Sequence, residues 1–177
     1  MKYCSRCGAG VTSRIPSGDD RPRFVCDACQ TIHYENPKIV VGSIPELGDR
    51  ILLCRRAIRP RLGKWTLPAG YLENGETLVE AAKREAYEEA RAKLTDLTPY
   101  ALFNLTFVNQ VYVMFRCRLK DRDCRPGPES LEVRLFSEQE IPWEDMAFSS
   151  IRETLRRYFK DRRKGAFPLH MADIAPD

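Results

Sequence analysis

Gly70-Tyr71-Leu72-Glu73-Asn74-Gly75-Glu76 leads, after seven further residues, into Arg84-Glu85-Ala86-Tyr87-Glu88-Glu89, and this stretch decides the fold. Residues 77–93 contain neither Gly nor Pro, and Leu78, Ala81, Ala82, Ala86 and Ala90 recur at helical spacing, so the segment reads as an amphipathic helix. On such a helix Glu85, Glu88 and Glu89 stand at i, i+3 and i+4 and share one face. Two unpartnered carboxylates ~4 Å apart repel by roughly 4 kcal/mol at an effective dielectric near 20. An acidic stripe alone is usually a solvated face. Here a Gly-rich loop, itself acidic through Glu73 and Glu76, feeds straight into it. Oxygen ligands gathered in this way suit Mg²⁺ or Mn²⁺.

Outward from this segment, short apolar runs read as strands: Lys38–Gly42, Ile51–Arg55 after the Gly48-Asp49 turn, and Trp65–Leu67. Beyond the helix, Leu97–Phe107, Gln110–Leu119 and Leu131–Phe136 follow, with Arg125-Pro126-Gly127-Pro128 as a loop. A last helix is expected to start at a Ser150-x-x-Glu153 capping box and to bury Ile151, Leu155, Tyr158 and Phe159. Several strands with two separated helices predict a mixed sheet sandwiched between helices, of α+β or α/β class.

Seven cysteines divide the chain. Cys4-x-x-Cys7 and Cys26-x-x-Cys29 are separated by 18 residues, a spacing that reads as a structural zinc site. Two C-x-x-C knuckles complete a tetrahedron of thiolates and leave no open position for water. The residues between them offer little apolar surface, so a metal clip is needed for this segment to fold. Cys54 and Cys117 fall in strand patterns and read as core residues. Cys–His catalysis is disfavoured, because His33 directly follows the zinc segment and His170 lies in the C-terminal tail.

With 43% hydrophobic and 31% charged residues, the 177-residue chain can build a sizeable core, which excludes disordered and coiled-coil classes. No apolar run reaches membrane-spanning length, and the first residues lack a secretory h-region, so a cytoplasmic protein without a membrane partner is expected. The net charge of +4 is concentrated in residues 152–164, where seven basic side chains face two acidic ones. A solvated basic helix end accounts for this more simply than nucleic-acid binding, which favours broad basic faces interleaved with aromatics. The organisation expected is a zinc segment over 1–33, a main domain over 34–164 and a loose tail over 165–177.

The segment from Gly70 to Ala92 resembles the signature of the Nudix hydrolases. In that signature Gly is followed by five residues, Glu, seven residues and Arg-Glu-U-x-Glu-Glu-x-Gly-U, where U is a bulky aliphatic residue. Gly70, Glu76, Arg84, Glu85, Glu88 and Glu89 all fall on fixed positions, and Gly63-Lys64-Trp65-Thr66-Leu67-Pro68-Ala69 is similar to the usual lead-in. Arg91 stands where the motif has Gly, and small Ala86 and Ala92 occupy bulky positions. The resemblance implies an α/β/α sandwich preceded by a zinc ribbon, and metal-dependent hydrolysis of a nucleoside diphosphate derivative. It implies that Glu85, Glu88, Glu89 and the Gly70 carbonyl hold Mg²⁺ or Mn²⁺, and that Arg84 orients Glu76 by an ion pair. A general base is expected on the signature helix or on a later loop, where Glu129 and Glu132 are the candidates.

A ribbon-bearing chain also resembles the NADH pyrophosphatases within the family, but the Ser-Gln-Pro-Trp-like motif of that subgroup is missing. The likeness therefore points first to the branch acting on ADP-ribose or FAD, with AMP as one product, and second to NADH or dinucleotide cleavage. A ligand-sensing or nucleic-acid-binding module is the reading from a different class. Phe103, Phe107 and Tyr112 are candidates to stack a base, and Arg55 and Arg56 to meet phosphate oxygens. Relatives of this plan imply a homodimer whose only other partner is a small nucleotide.

Overall fold

The computed structural model describes residues 1–176. The chain divides into two compact units at Asn36/Pro37. In the first, β1 (Val11–Arg14), β2 (Arg23–Cys26) and β3 (Ile32–His33) form a small antiparallel sheet. Val25 and Cys26 are buried there, but little else apolar is available, and the two Cys-x-x-Cys turns supply what the core cannot.

The second unit contains β4 (Lys38–Leu47), β5 (Arg50–Arg56), β6 (Trp65–Thr66), β7 (Ala69–Tyr71), α1 (Leu78–Ala90) and β8 (Leu94–Leu105). It continues with β9 (Gln110–Leu119), β10 (Ser130–Phe136), α2 (Ser149–Lys164) and β11 (His170–Asp173). The main sheet has the order β10-β5-β4-β9-β8-β11, with β6 added to β5 and β7 to β4. The β4–β9 and β8–β11 pairings are parallel and the others antiparallel, so the sheet is mixed.

Period-two alternation sorts the strand residues onto two faces. Val40, Ile44, Ile51, Leu53 and Met114 join Ile151, Leu155, Tyr158 and Phe159 of α2 in one core. Val41, Leu52, Cys54, Val113, Phe115 and Cys117 face the other way, toward the alanines of α1. The result is the α/β/α sandwich. Ala81, Ala82, Ala86 and Ala90 are fully buried and carry no bulk beyond Cβ, so α1 lies close to the sheet. Gly42 shows the same tightness, since a Cβ there would come within 2.7 Å of Ala69 Cβ and 2.8 Å of Met114 Cε.

Three expectations about elements are corrected. Residues 170–173 are not a loose tail: β11 extends the sheet edge beside β8, with His170 opposite Ala101 and Asp173 opposite Asn104. The reason is tertiary, because buried Asp161 of α2 accepts from Tyr100 Oη at 2.8 Å and pairs with His170 Nε2 at 2.5 Å. The Ser150-x-x-Glu153 box does not cap α2, which begins at Ser149 with Phe148 at the N-cap and with Ser150 buried inside the helix. Finally, α1 stops at Ala90 rather than running to 93, because Arg91 turns left-handed at φ 53° and donates its N–H to Tyr87 O at 2.8 Å. The basic end of α2 closes on Gly165, and Arg162, Arg163 and Lys164 sit where the helix dipole favours cations. No helix among the described residues is long and apolar enough to cross a membrane.

Candidate functional site

The register of α1 is set at its first turn. Thr77 is the N-cap: its Oγ1 accepts from Glu80 N at 3.2 Å while Glu80 Oε2 accepts from Thr77 N at 2.8 Å, a reciprocal capping box. That start places Glu85 and Glu89 on the buried side of the helix and Glu88 on its exposed rim. Gly70, in β7, is hydrogen-bonded into the sheet opposite Val41. A Cβ at Gly70 would overlap the Glu85 carboxylate where it lies, so glycine lets this backbone approach the acid without displacing it.

Arg84 organises the acids around it. Its Nε and Nη2 grip Glu76 at 3.0 and 2.7 Å, Nη1 reaches Glu85 at 2.6 Å and Glu88 at 3.0 Å, and Nη2 also donates to Tyr71 O at 3.0 Å. The guanidinium holds Glu76 far below the usual carboxylate range, at about 2, helped by the Glu73 N–H that donates to it. Glu85 and Glu89 move the other way. Burial raises Glu85 despite Arg84, and burial together with the Glu85 charge raises Glu89 to about 8. Glu89 Oε2 is buried without a hydrogen-bond partner. A buried oxygen left orphaned beside a second buried carboxylate fits a divalent cation, which satisfies the oxygen and neutralises the pair.

These carboxylates open onto a cavity of about 830 Å³. Its acidic lining includes Glu73, Glu85, Glu88, Glu89 and Glu129, and its aromatic and apolar lining includes Ile58, Pro60, Tyr71, Tyr112 and Phe148. Arg56 and Arg59 contribute cationic groups to the same wall. Arg56 is held in place by two contacts: its guanidinium lies 5.2 Å from the Phe148 ring centroid and its Nε donates to Pro60 O at 2.9 Å. Tyr71 Oη accepts from Gln110 Nε2 at 2.9 Å, which fixes the phenol at the rim.

Of the side chains singled out in the sequence, Arg84, Glu85, Glu88, Glu89, Glu129, Arg56 and Tyr112 share this cavity with Gly70, and Glu76 is tied to it through Arg84. Four others lie elsewhere. Arg55 points away from Arg56 by strand alternation, donates to Gly63 O at 2.9 Å and faces Glu132 at 3.8 Å, so Arg55 and Glu132 neutralise each other outside the cavity. Phe103 is fully buried in the α2-side core, and Phe107 is exposed in a 3-10 turn outside the cavity lining. Phe148 and Arg59 line the cavity without having been foreseen. The arginine-dense run Arg55-Arg56-Ala57-Ile58-Arg59 was a signal for Arg59, whereas Phe148 is brought in only by the packing of α2.

In the ribbon, the Sγ atoms of Cys4, Cys7, Cys26 and Cys29 all lie within 4.8 Å of one another. Four thiolates so close, with little surrounding core, fit tetrahedral zinc. His33 Nε2 lies 3.3 Å from Cys4 Sγ, placing it beside the thiolates as a neighbour.

Residues 37–158 match the family model described as NUDIX domain, and residues 2–35 match the one described as Nudix N-terminal, a zinc ribbon. The chain belongs to the Nudix hydrolase family, and that membership implies both zinc in the ribbon and a divalent cation at the hydrolase site. A NUDIX hydrolase from Nitrosomonas europaea is 54% identical over 98% of this chain and all of that one, with a TM-score of 0.91. The NAD-capped RNA hydrolase NudC of Photobacterium profundum is 27% identical over 145 residues, 80% of this chain and 52% of that protein. Human mitochondrial NAD(P)H pyrophosphatase NUDT13 is 25% identical over 95% of this chain and 45% of its own length. The chain thus spans about half the length of these curated relatives.

Proposed function

We propose that the chain hydrolyses the pyrophosphate bond of a nucleoside diphosphate derivative in a divalent-metal-dependent reaction, releasing AMP and a phosphorylated product, with ADP-ribose or FAD as the leading substrates. The observation that carries this reading is the juxtaposition of buried, Arg84-organised carboxylates with cationic and aromatic groups in one 830 Å³ cavity. Glu85, Glu88, Glu89 and the Gly70 carbonyl would hold Mg²⁺ or Mn²⁺, which neutralises the pyrophosphate and acidifies the attacking water. Arg84 keeps Glu85 and Glu88 oriented and ties the loop to the helix through Glu76. Glu129 is the proton acceptor on this reading: a water oxygen bonds to phosphorus, its proton passes to the Glu129 carboxylate, and the P–O bond of the anhydride breaks toward the leaving phosphate. Arg56, steadied by Phe148, meets the phosphate oxygens of the substrate, and Tyr112 and Phe148 offer rings to its base.

A second reading, cleavage of NADH or a related dinucleotide, is favoured by the names of the curated relatives and shares the same machinery. Incubation with Mg²⁺ or Mn²⁺ and ADP-ribose, FAD, NADH, ADP-glucose or diadenosine polyphosphates, followed by chromatography, separates the two. AMP from ADP-ribose or FAD is expected. A strong NADH preference promotes the second reading, and release from none of them removes the hydrolytic one. Sedimentation of the intact chain tests the homodimer.

A further inference from the structure

Residues 125–129 cross the end of α1 with almost no clearance. Gly127 N donates to Glu89 O at 2.9 Å and Arg125 N donates to Ala90 O at 2.9 Å, two carbonyls in the last turn of α1. A Cβ added to Gly127 would fall on the Glu88 carbonyl oxygen, 2.8 Å from the Glu88 carbonyl carbon and 3.3 Å from that of Glu89. All three atoms are backbone, so no side-chain rotation relieves the clash. The segment is also fixed beyond this point: Ser130 N donates to Gly127 O at 3.1 Å, and Ala57 N donates to Glu129 O at 2.8 Å. Glu129 is therefore clamped between the end of α1 and the end of β5, and its side chain lines the cavity with Glu85 and Glu89.

We infer that Gly127 is a positioning residue, whose backbone contact with α1 latches the 125–129 segment and holds the Glu129 carboxylate against the acids of that helix. Loop and helix then form one rigid frame around the reacting phosphorus. The inference rests on the hydrolytic reading only for its effect on turnover, since the latch itself is readable without substrate.

The test compares Gly127→Ala, Glu129→Gln and the double variant of the full chain, each first checked for cooperative melting and zinc content. Gly127→Ala is expected to lower kcat about 100-fold, the scale of losing a general base, with KM changed less than about threefold. The double variant is expected to be no slower than Glu129→Gln alone, because both act through one carboxylate. Amide exchange is expected to show protection at Arg125, Gly127 and Ala57 in the unsubstituted chain and its loss in Gly127→Ala. Unchanged kcat in Gly127→Ala, or a double variant slowed by the product of the single effects, overturns the inference. Should Gly127→Ala fail to fold, amide exchange of the unsubstituted chain decides instead, and unprotected exchange at Arg125 and Gly127 overturns the inference. If the unsubstituted chain cleaves no nucleotide, the hydrolytic reading fails while the exchange pattern still judges the latch.

Discussion

Five hydrogen bonds converge on the guanidinium of Arg84, four to carboxylate oxygens and one to a backbone carbonyl. Lysine could not reproduce that planar fork. Arg84→Ala is expected to lower kcat/KM by about 10–100-fold, as loss of an orienting partner does, and Arg84→Lys to recover little of it in a steady-state assay. Glu89→Gln is expected to lower kcat by about 100- to 1,000-fold while zinc content stays unchanged. The same substitution removes a carboxyl that must take up a proton to be buried at neutral pH, so the metal-free melting temperature there should rise as activity falls. Glu76 has a pH signature: its pKa drops from an ordinary 4.5 to about 2 in the fold. Its stabilisation is complete above pH 4.5 and lost as pH falls toward 2. The gap in melting temperature between the native chain and Glu76→Gln should therefore be full at neutral pH and shrink across that acidic window.

Among the elements, α1 ends on a residue poorly suited to its conformation. Arg91 is left-handed at φ 53°, where the family motif has glycine, and is partly compensated by stacking 5.1 Å from the Tyr87 ring centroid. Arg91→Gly should raise stability by about 1 kcal/mol, a melting shift of roughly 2–4 °C for a chain of this size. At the sheet edge, His170→Ala takes a partner from buried Asp161 and should cost about 1–3 kcal/mol in denaturant unfolding. These two cases mark what the sequence could disclose. The acids of α1 were legible because their chemistry lies within one helix, at spacings that geometry fixes locally. Strand β11 was not, because four residues with no apolar run pair only where Asp161, nine residues earlier, and Tyr100, far away in the chain, hold His170. Glu129 and Glu132 looked equivalent in the sequence. The register shift between Ser130 and Glu132, and the pairing of β10 with β5, leave Glu129 in the cavity and turn Glu132 toward Arg55.

For the whole molecule, the two units depend on different forces. The main unit carries three apolar clusters, whereas residues 1–36 depend on their four thiols. Chelation of zinc, or Cys26→Ser, is expected to strip amide protection from residues 1–36, with metal analysis of the native chain giving one zinc per chain. Strands β4 and β5 were visible in the sequence as continuous apolar runs and β9 as an alternating one, but the parallel pairing of β4 with β9 was not. Nothing local in either strand encodes a partner some seventy residues away.

The alanine face of α1 works as a spacer of fixed thickness. One extra methylene at Ala81, Ala82 or Ala86 would push the helix off the sheet and carry Glu85 and Glu89 away from Gly70. Drift at these positions is thereby restrained twice, once by the fit of the interior and once by the reach of the acids, and a stable repacked interior could still leave a catalyst out of focus.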